Sequence, residues 1–181
     1  MRRVVITGVG AVTPIGNTVK EMWAGVREGK CGIDKITKYD ISNRKVKVAA
    51  EVKNLPVEEL VDKHDLRKMD LFCTFAMIAA DEAIADSGLS FEGEEDKCGV
   101  IVSSGIGGIS TIEKEYSKGL EKGFDRVSPY FIPSVITNMA AGRIAIKHNL
   151  QGMCSCVVTA CAGGTNAVGD SFRQIRDGYA D

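Results

Sequence analysis

The stretch Val157-Val-Thr-Ala-Cys161-Ala-Gly-Gly-Thr-Asn166 decides how this chain reads. Two valines and a threonine end an apolar run that starts at Cys154, a cysteine follows among Ala160, Ala162, Gly163 and Gly164, and a helical pattern then occupies residues 164–177. β-Branched residues suit a strand, and only small residues leave room for a chain that turns so sharply from strand into helix. The same grammar occurs upstream, where Gly99-Val-Ile-Val-Ser-Ser104 is followed by Gly105, Gly107 and Gly108 and by a predicted helix over residues 109–120. Strand, glycine turn and helix, used twice, predict an α/β fold.

Composition agrees with that class. The 181 residues are 44% apolar and 26% charged, the proportions of an ordinary globular chain. Twenty-three Lys and Arg balance twenty-four Asp and Glu, so a net charge of -1 provides no global field for nucleic acid or an anionic membrane, and neither is expected as a partner. No apolar run reaches the roughly 20 residues of a membrane span. Arg2 and Arg3 before an apolar run imitate a secretory signal, but Gly8 and Gly10 interrupt it and no cleavage site precedes Pro14. The six cysteines, at 31, 73, 98, 154, 156 and 161, form no C-x-x-C pair, which predicts free thiols in a reducing cytoplasm and no metal site.

The remaining elements are predicted from period and punctuation. Residues 3–8 read as a buried first strand ending in a glycine turn. A helix over residues 17–28 would be capped by Asn17, stopped at Gly29 and buried along Val19, Trp23 and Val26. Residues 31–61 read as surface loops with at most a short strand near 46–52. Met69, Phe72, Ala76, Ala79 and Ala83 give a long helix over 67–87 with a small-residue face, and Gly88 stands at its cap position. Ser128-Pro-Tyr-Phe-Ile-Pro133 reads as an extended loop because each proline disfavours helix in its predecessor. A helix follows over 137–147, and 154–159 reads as a buried strand.

Chemistry concentrates at Cys161. A nucleophile elbow of the serine-hydrolase kind likewise places its side chain on a tight strand-to-helix turn. The free N–H groups and dipole of a helix N-terminus favour negative charge, which suits an attacking sulfur. Unpaired cysteines are also common as small buried residues, and on spacing alone the two readings of Cys161 stand level. The glycine clusters at 8–10 and 105–108 lack the third glycine of a dinucleotide loop, and residues 25–31 miss the phosphate-loop spacing and place Cys31 where Ser or Thr belongs. A thiol that accepts an acyl group usually works beside a base, yet the chain has only His64 and His148, both in polar surroundings that read as surface.

Taken in order, several stretches resemble the β-ketoacyl-acyl-carrier-protein synthases, in particular the type II bacterial elongating enzymes. They are Arg3-Val-Val-Ile-Thr-Gly-Val-Gly-Ala-Val-Thr-Pro-Ile-Gly16, Arg67-Lys-Met-Asp70, Gly105-Ile-Gly-Gly108, Ser128-Pro-Tyr-Phe-Ile-Pro-Ser134 with Asn138-Met, and Thr159-Ala-Cys-Ala162. The resemblance implies the N-terminal half of a thiolase fold: a mixed five-stranded sheet with helices on both faces, layered αβαβα in a full-length homodimer. Residues 1–181 would be an incomplete N-terminal synthase domain, with the C-terminal half absent.

By the same resemblance Cys161 takes an acyl chain from acyl-carrier protein as a thioester, and its backbone N–H supplies part of the oxyanion hole. Malonyl-carrier protein then loses carbon dioxide, and the carbanion attacks the thioester to lengthen the chain by two carbons. Ile106, Phe131, Ile132 and Ala160 would bind the acyl chain, and Lys63, Arg67 and Lys68 would face the acidic carrier. No cofactor is implied, since the substrates carry phosphopantetheine. The family's catalytic histidines, supporting lysine and second oxyanion donor fall in motifs beyond residue 181, so the 181 residues alone are expected to be inactive. Three other readings remain open: a non-catalytic chain-length-factor partner, a polyketide ketosynthase and a thiolase-type thiol enzyme.

Overall fold

The computed structural model describes residues 2–181. The chain orders its elements as α1 (Val19–Arg27), β1 (Ile33–Lys35), β2 (Val48–Ala50), α2 (Val57–Leu60), α3 (Lys63–Leu66), α4 (Leu71–Ser87), β3 (Val100–Ser103), α5 (Ile109–Lys122), α6 (Phe131–Val135), α7 (Met139–His148), β4 (Cys154–Val157) and α8 (Gly163–Asp177). These form two compact units, one of residues up to Ile6, Val61–Met77 and Leu89–Asp181, the other of Thr7–Leu60 and Ile78–Gly88.

The first unit carries the α/β grammar. β3 and β4 pair in parallel, with Val100 opposite Cys154 and Ser103 opposite Val157. A parallel pair needs a long crossover, which α5, α6 and α7 supply. Helices α7 and α8 pack against both strands, and the core gathers Met69, Cys73, Met77, Val100, Ala140, Ala141, Ile144 and Ala167. Asn149 closes α7 in the left-handed conformation at φ 53°, and Gly178 closes α8 at φ 84°.

The second unit is built on close backbone approach. A Cβ at Gly8 would overlap the carbonyl oxygen of Ala83, and one at Gly10 that of Ala79, so the glycines lie on the small-residue face of α4. Carboxylates of α4 then take the exposed backbone donors: Val9 N–H reaches Asp86 at 3.0 Å, Ala11 N–H reaches Glu82 at 2.8 Å, and Val19 N–H reaches the other Glu82 oxygen at 2.9 Å. β1 and β2 form an antiparallel ladder. Beside it, buried Glu51 accepts the Thr37 hydroxyl at 2.7 Å.

Several sequence expectations are corrected here. Residues 3–8 form no strand; Val5 and Ile6 are 55% and 82% exposed. β-Branched residues favour a strand only where a neighbouring edge and a covering layer exist, and among the described residues β3 and β4 pair only with each other. The implied five-stranded sheet is accordingly represented by two separate two-stranded ladders. β4 stops at Val157, and Cys154 is exposed rather than buried.

Helix α1 is capped by Thr18, one residue later than predicted: its hydroxyl accepts the Glu21 N–H at 3.2 Å, while the Glu21 carboxylate accepts the N–H of the preceding Asn17 at 2.8 Å. Its inward residue is Gly25, so Trp23 and Val26 face outward at 59% and 51% exposure. The 67–87 helix begins at Leu71. The 128–133 segment becomes helical from Phe131, because Pro133 falls in the first turn, where a missing N–H removes no intrahelical bond.

Glu82 satisfies two backbone donors at once, so Glu82→Ala is expected to destabilise the protein by about 2 kcal/mol or more. Urea denaturation of the variant against the parent measures the loss.

Candidate active site

The parallel register places the C-terminal ends of β3 and β4 at one edge, and both chemistry-bearing turns leave from there. This is the edge at which open α/β sheets hold their ligands. From β3 the chain enters Ser104–Gly108, where Gly107 adopts φ +78° and Ile106 is exposed. From β4 it passes Val158 and Thr159 into a single 3-10 turn, Ala160–Ala162, with exposed Cys161 at its centre. Ala160 adopts φ +47°, a left-handed conformation for a residue that bears a Cβ. Such a residue costs about 1–3 kcal/mol and persists where its surroundings impose it.

The imposing contact is Gly163, the first residue of α8. A Cβ there would overlap the Ser103 side chain at the end of β3. Helix α8 can therefore start hard against β3, which leaves the chain one tight turn between β4 and the helix. Ala162 caps α8 without a side-chain acceptor, so no side chain competes there for the first-turn N–H groups. An exposed thiol two residues before a fifteen-residue helix is placed to attack an electrophile from solvent. Cys73 contrasts with it: burial pushes its thiol up to about 12, and it belongs to the core.

The other predicted residues fall into two groups. Phe131 and Ile132 open α6, which is tied to the Ile106 turn by the Gly108 N–H donating to the Val135 carbonyl at 3.0 Å. Ile132 is 60% exposed and Ala160 is exposed beside Cys161. Lys63 lies on α3, Arg67 caps that helix and Lys68 follows, so the three basic residues share one short segment. His64 is on α3 within that segment. His148 ends α7, and the chain from it enters the N-terminal end of β4, opposite the Cys161 edge.

Three buried or half-buried polar side chains that sequence reasoning did not single out as site residues fix these turns. The Asp70 carboxylate accepts the Thr111 N–H at 2.8 Å and hydroxyl at 2.7 Å, anchoring the start of α5. The Glu115 carboxylate accepts the Ser128 N–H at 2.7 Å and the Lys118 ammonium at 3.1 Å, anchoring the approach to α6. The Arg143 guanidinium donates to Asp65 and to the Lys68 carbonyl, each at 3.3 Å. No sequence signal marked Glu115, because the apolar residues Ile109, Tyr116 and Leu120 of α5 are exposed while Glu115 and Gly119 are its buried positions. A cleft of about 660 Å³ lies in the second unit between the 13–17 loop, α1 and β1, and none of the predicted site residues lines it. Within its lining Lys53 and Asp34 form an ion pair at 2.6 Å.

An exposed thiol on a strained strand-to-helix turn, at the ligand edge of a parallel α/β core, is a candidate nucleophile. The family model of the β-ketoacyl synthase N-terminal domain matches residues 1–181, and the chain belongs to that family. It is 44% identical over 180 residues to the 3-oxoacyl-[acyl-carrier-protein] synthase 2 of Synechocystis sp. (strain ATCC 27184 / PCC 6803 / Kazusa), covering 99% of this chain and 43% of that protein. Identity to the synthase of the same name from Staphylococcus aureus strain COL is 44% over 181 residues, covering 99% and 44%. A solved structure described as the ishigamide ketosynthase/chain length factor superposes with a TM-score of 0.87 at 28% identity, over 99% of this chain and 45% of that one. The fold is thus of the α/β thiolase type. The chain spans less than half the length of these relatives.

Two outcomes test this geometry. Gly163→Ala forces a methyl into the Ser103 side chain, so it is expected to lower the thermal midpoint and slow alkylation of Cys161, read by calorimetry and by timed mass spectrometry. The Ser128 N–H first, then Lys118, holds the Glu115 carboxyl below its ordinary range. A carboxylate depressed on folding adds stability above its unfolded value of about 4.3, and that stability is lost as pH falls through the folded value. Glu115→Gln is therefore expected to be less stable than the parent at pH 7, with the gap closing below about pH 4 in a pH series of denaturation curves.

Proposed function

We propose that this chain is the nucleophile-bearing N-terminal part of a condensing enzyme of fatty acid biosynthesis, and that Cys161 is its acyl acceptor. The observation that carries the proposal is the exposed Cys161 on the Ala160–Ala162 turn ahead of α8. The Cys161 thiolate attacks the thioester carbonyl of an acyl-carrier protein, and the carrier's phosphopantetheine thiol leaves. Malonyl-carrier protein loses carbon dioxide, its carbanion attacks the Cys161 thioester, and the thiolate departs from a β-ketoacyl product two carbons longer. The backbone N–H of Cys161 serves as one oxyanion donor, of value because it is already aimed when charge develops.

In this reading Ile106, Phe131, Ile132 and Ala160 line the acyl site, and Lys63, Arg67 and Lys68 meet the acidic carrier. The exposed Ile109, Tyr116 and Leu120 of α5, with Phe124 beside Tyr116 at 6.2 Å between ring centroids, give an apolar face suited to a second copy in a homodimer. The histidines and lysine that assist decarboxylation and condensation belong to the part of the enzyme outside residues 1–181. A cytoplasmic location follows from this activity, and no helix among the described residues is long and apolar enough to cross a membrane.

The likeness to a structure described as a ketosynthase/chain length factor supports a second reading, a polyketide ketosynthase or its partner subunit. Cys161 itself favours the catalytic member of such a pair. Incubating the full-length parent with a carrier protein bearing an acyl thioester, or with cerulenin, should place one adduct on Cys161 by mass spectrometry and none in Cys161→Ala. Labelling confined to another residue would remove Cys161 from this role. The isolated 181 residues should give no β-ketoacyl product, and turnover by them would mean that the condensing groups lie within this chain. A parent that prefers acyl-coenzyme A over acyl-carrier protein would be a thiolase-type enzyme instead.

A further inference from the structure

We propose that Tyr130 is a positioning residue whose ring ties the basic carrier-facing segment to the acyl-site helix α6, so that the two keep one relative geometry. This rests on the docking role given above to Lys68 and on the acyl-site role given to Phe131 and Ile132. The Lys68 ammonium lies 5.2 Å from the centroid of the Tyr130 ring, inside the roughly 6 Å range of a cation–π contact, and 3.4 Å from Nδ1 of His64.

Each end of this contact stands on a backbone fixed by other groups. On the lysine side, Arg143, with only 17% of its side chain exposed, donates to the Lys68 carbonyl and to Asp65. On the tyrosine side, the Tyr130 N–H donates to the Ser128 hydroxyl at 3.1 Å, and Ser128 is held in turn by Glu115. The Tyr130 carbonyl accepts the Ser134 N–H at 2.9 Å, so the residue is the cap of α6 and immediately precedes Phe131 and Ile132. From the far end of α6, the Val135 carbonyl holds Gly108, two residues from Ile106. A displacement of the Lys68 ammonium therefore meets resistance from the element that carries the acyl-site side chains. Without the ring, Lys68 samples more positions and presents its charge to a carrier less often.

The test is a double-mutant cycle on KM for acyl-carrier protein in the full-length parent. Tyr130→Leu should raise KM about two- to fivefold, the scale of one exposed cation–π contact. Tyr130→Phe, which keeps the ring, should restore the parent value, and in a Lys68→Met background Tyr130→Leu should add nothing. An unchanged KM in Tyr130→Leu, a Phe variant as impaired as Leu, or equal effects in both backgrounds would overturn the proposal while leaving Lys68 as a docking residue. If Lys68→Met alone leaves KM unchanged, the docking role fails and this proposal falls with it. Acylation of Cys161 is read separately, so the nucleophile assignment does not depend on either outcome.

Discussion

The parallel ladder between β3 and β4 is the constraint from which the site follows. Its register brings Ser103 and Val157 level, so the two strands end together and their following turns share one edge. The absence of a Cβ at Gly163 lets α8 begin directly against Ser103, and the chain between Val157 and Gly163 has no slack. Ala160 absorbs the resulting geometry in a left-handed conformation that glycine would adopt without strain. A Cβ at 160 restricts the turn more than glycine would, which holds Cys161 in one place at a cost of about 1–3 kcal/mol.

Away from the ladder, order in the loops comes from a few ionised side chains that each collect several backbone groups. Asp70 holds the start of α5, Glu115 the approach to α6, Glu82 the segment after Gly10, and Arg143 the segment before α4. A carboxylate can accept several hydrogen bonds and a guanidinium can donate five, so one side chain replaces a short ladder of secondary structure. The irregular stretches of this chain are short segments between such anchors, and the site residues on them are placed by polar contacts more than by apolar packing.

That division explains what could be read in the sequence. β4, the turn at Cys161 and α8 were legible because β-branched residues, small residues and a helical period follow one another without interruption. The long helix α4 and its Gly88 stop were legible for the same reason. Residues 3–8 were not, because strand propensity is local whereas a strand needs an edge to pair with. Trp23 misled because it shares a helical stripe with Val19 and Val26, while α1 turns Gly25 inward to bring backbone close to Ile15. The helix α6 was hidden by Pro133, whose effect depends on which turn it occupies. The anchors Asp70, Glu115 and Arg143 resemble surface charges until the folded chain shows what lies opposite them, whereas the basic run at 63–68 was legible as a run and its tie to Tyr130 was not.

The exposure of the residues proposed for the acyl site bears on where specificity would arise. Ile106 and Ile132 are 63% and 60% exposed, and Val158 on the way to Cys161 is 56% exposed. An acyl chain on Cys161 gains about 0.8 kcal/mol for each methylene taken out of water, and none for a methylene left in it. On that proposal residues 1–181 supply the sulfur and one side of an apolar site but little enclosure for a chain. In the condensing enzyme proposed above, the groups that close over Ile106 and Ile132 decide how many methylenes are buried. On the same proposal chain-length preference belongs to the assembled enzyme, while the ability to accept an acyl group belongs to the turn at Cys161.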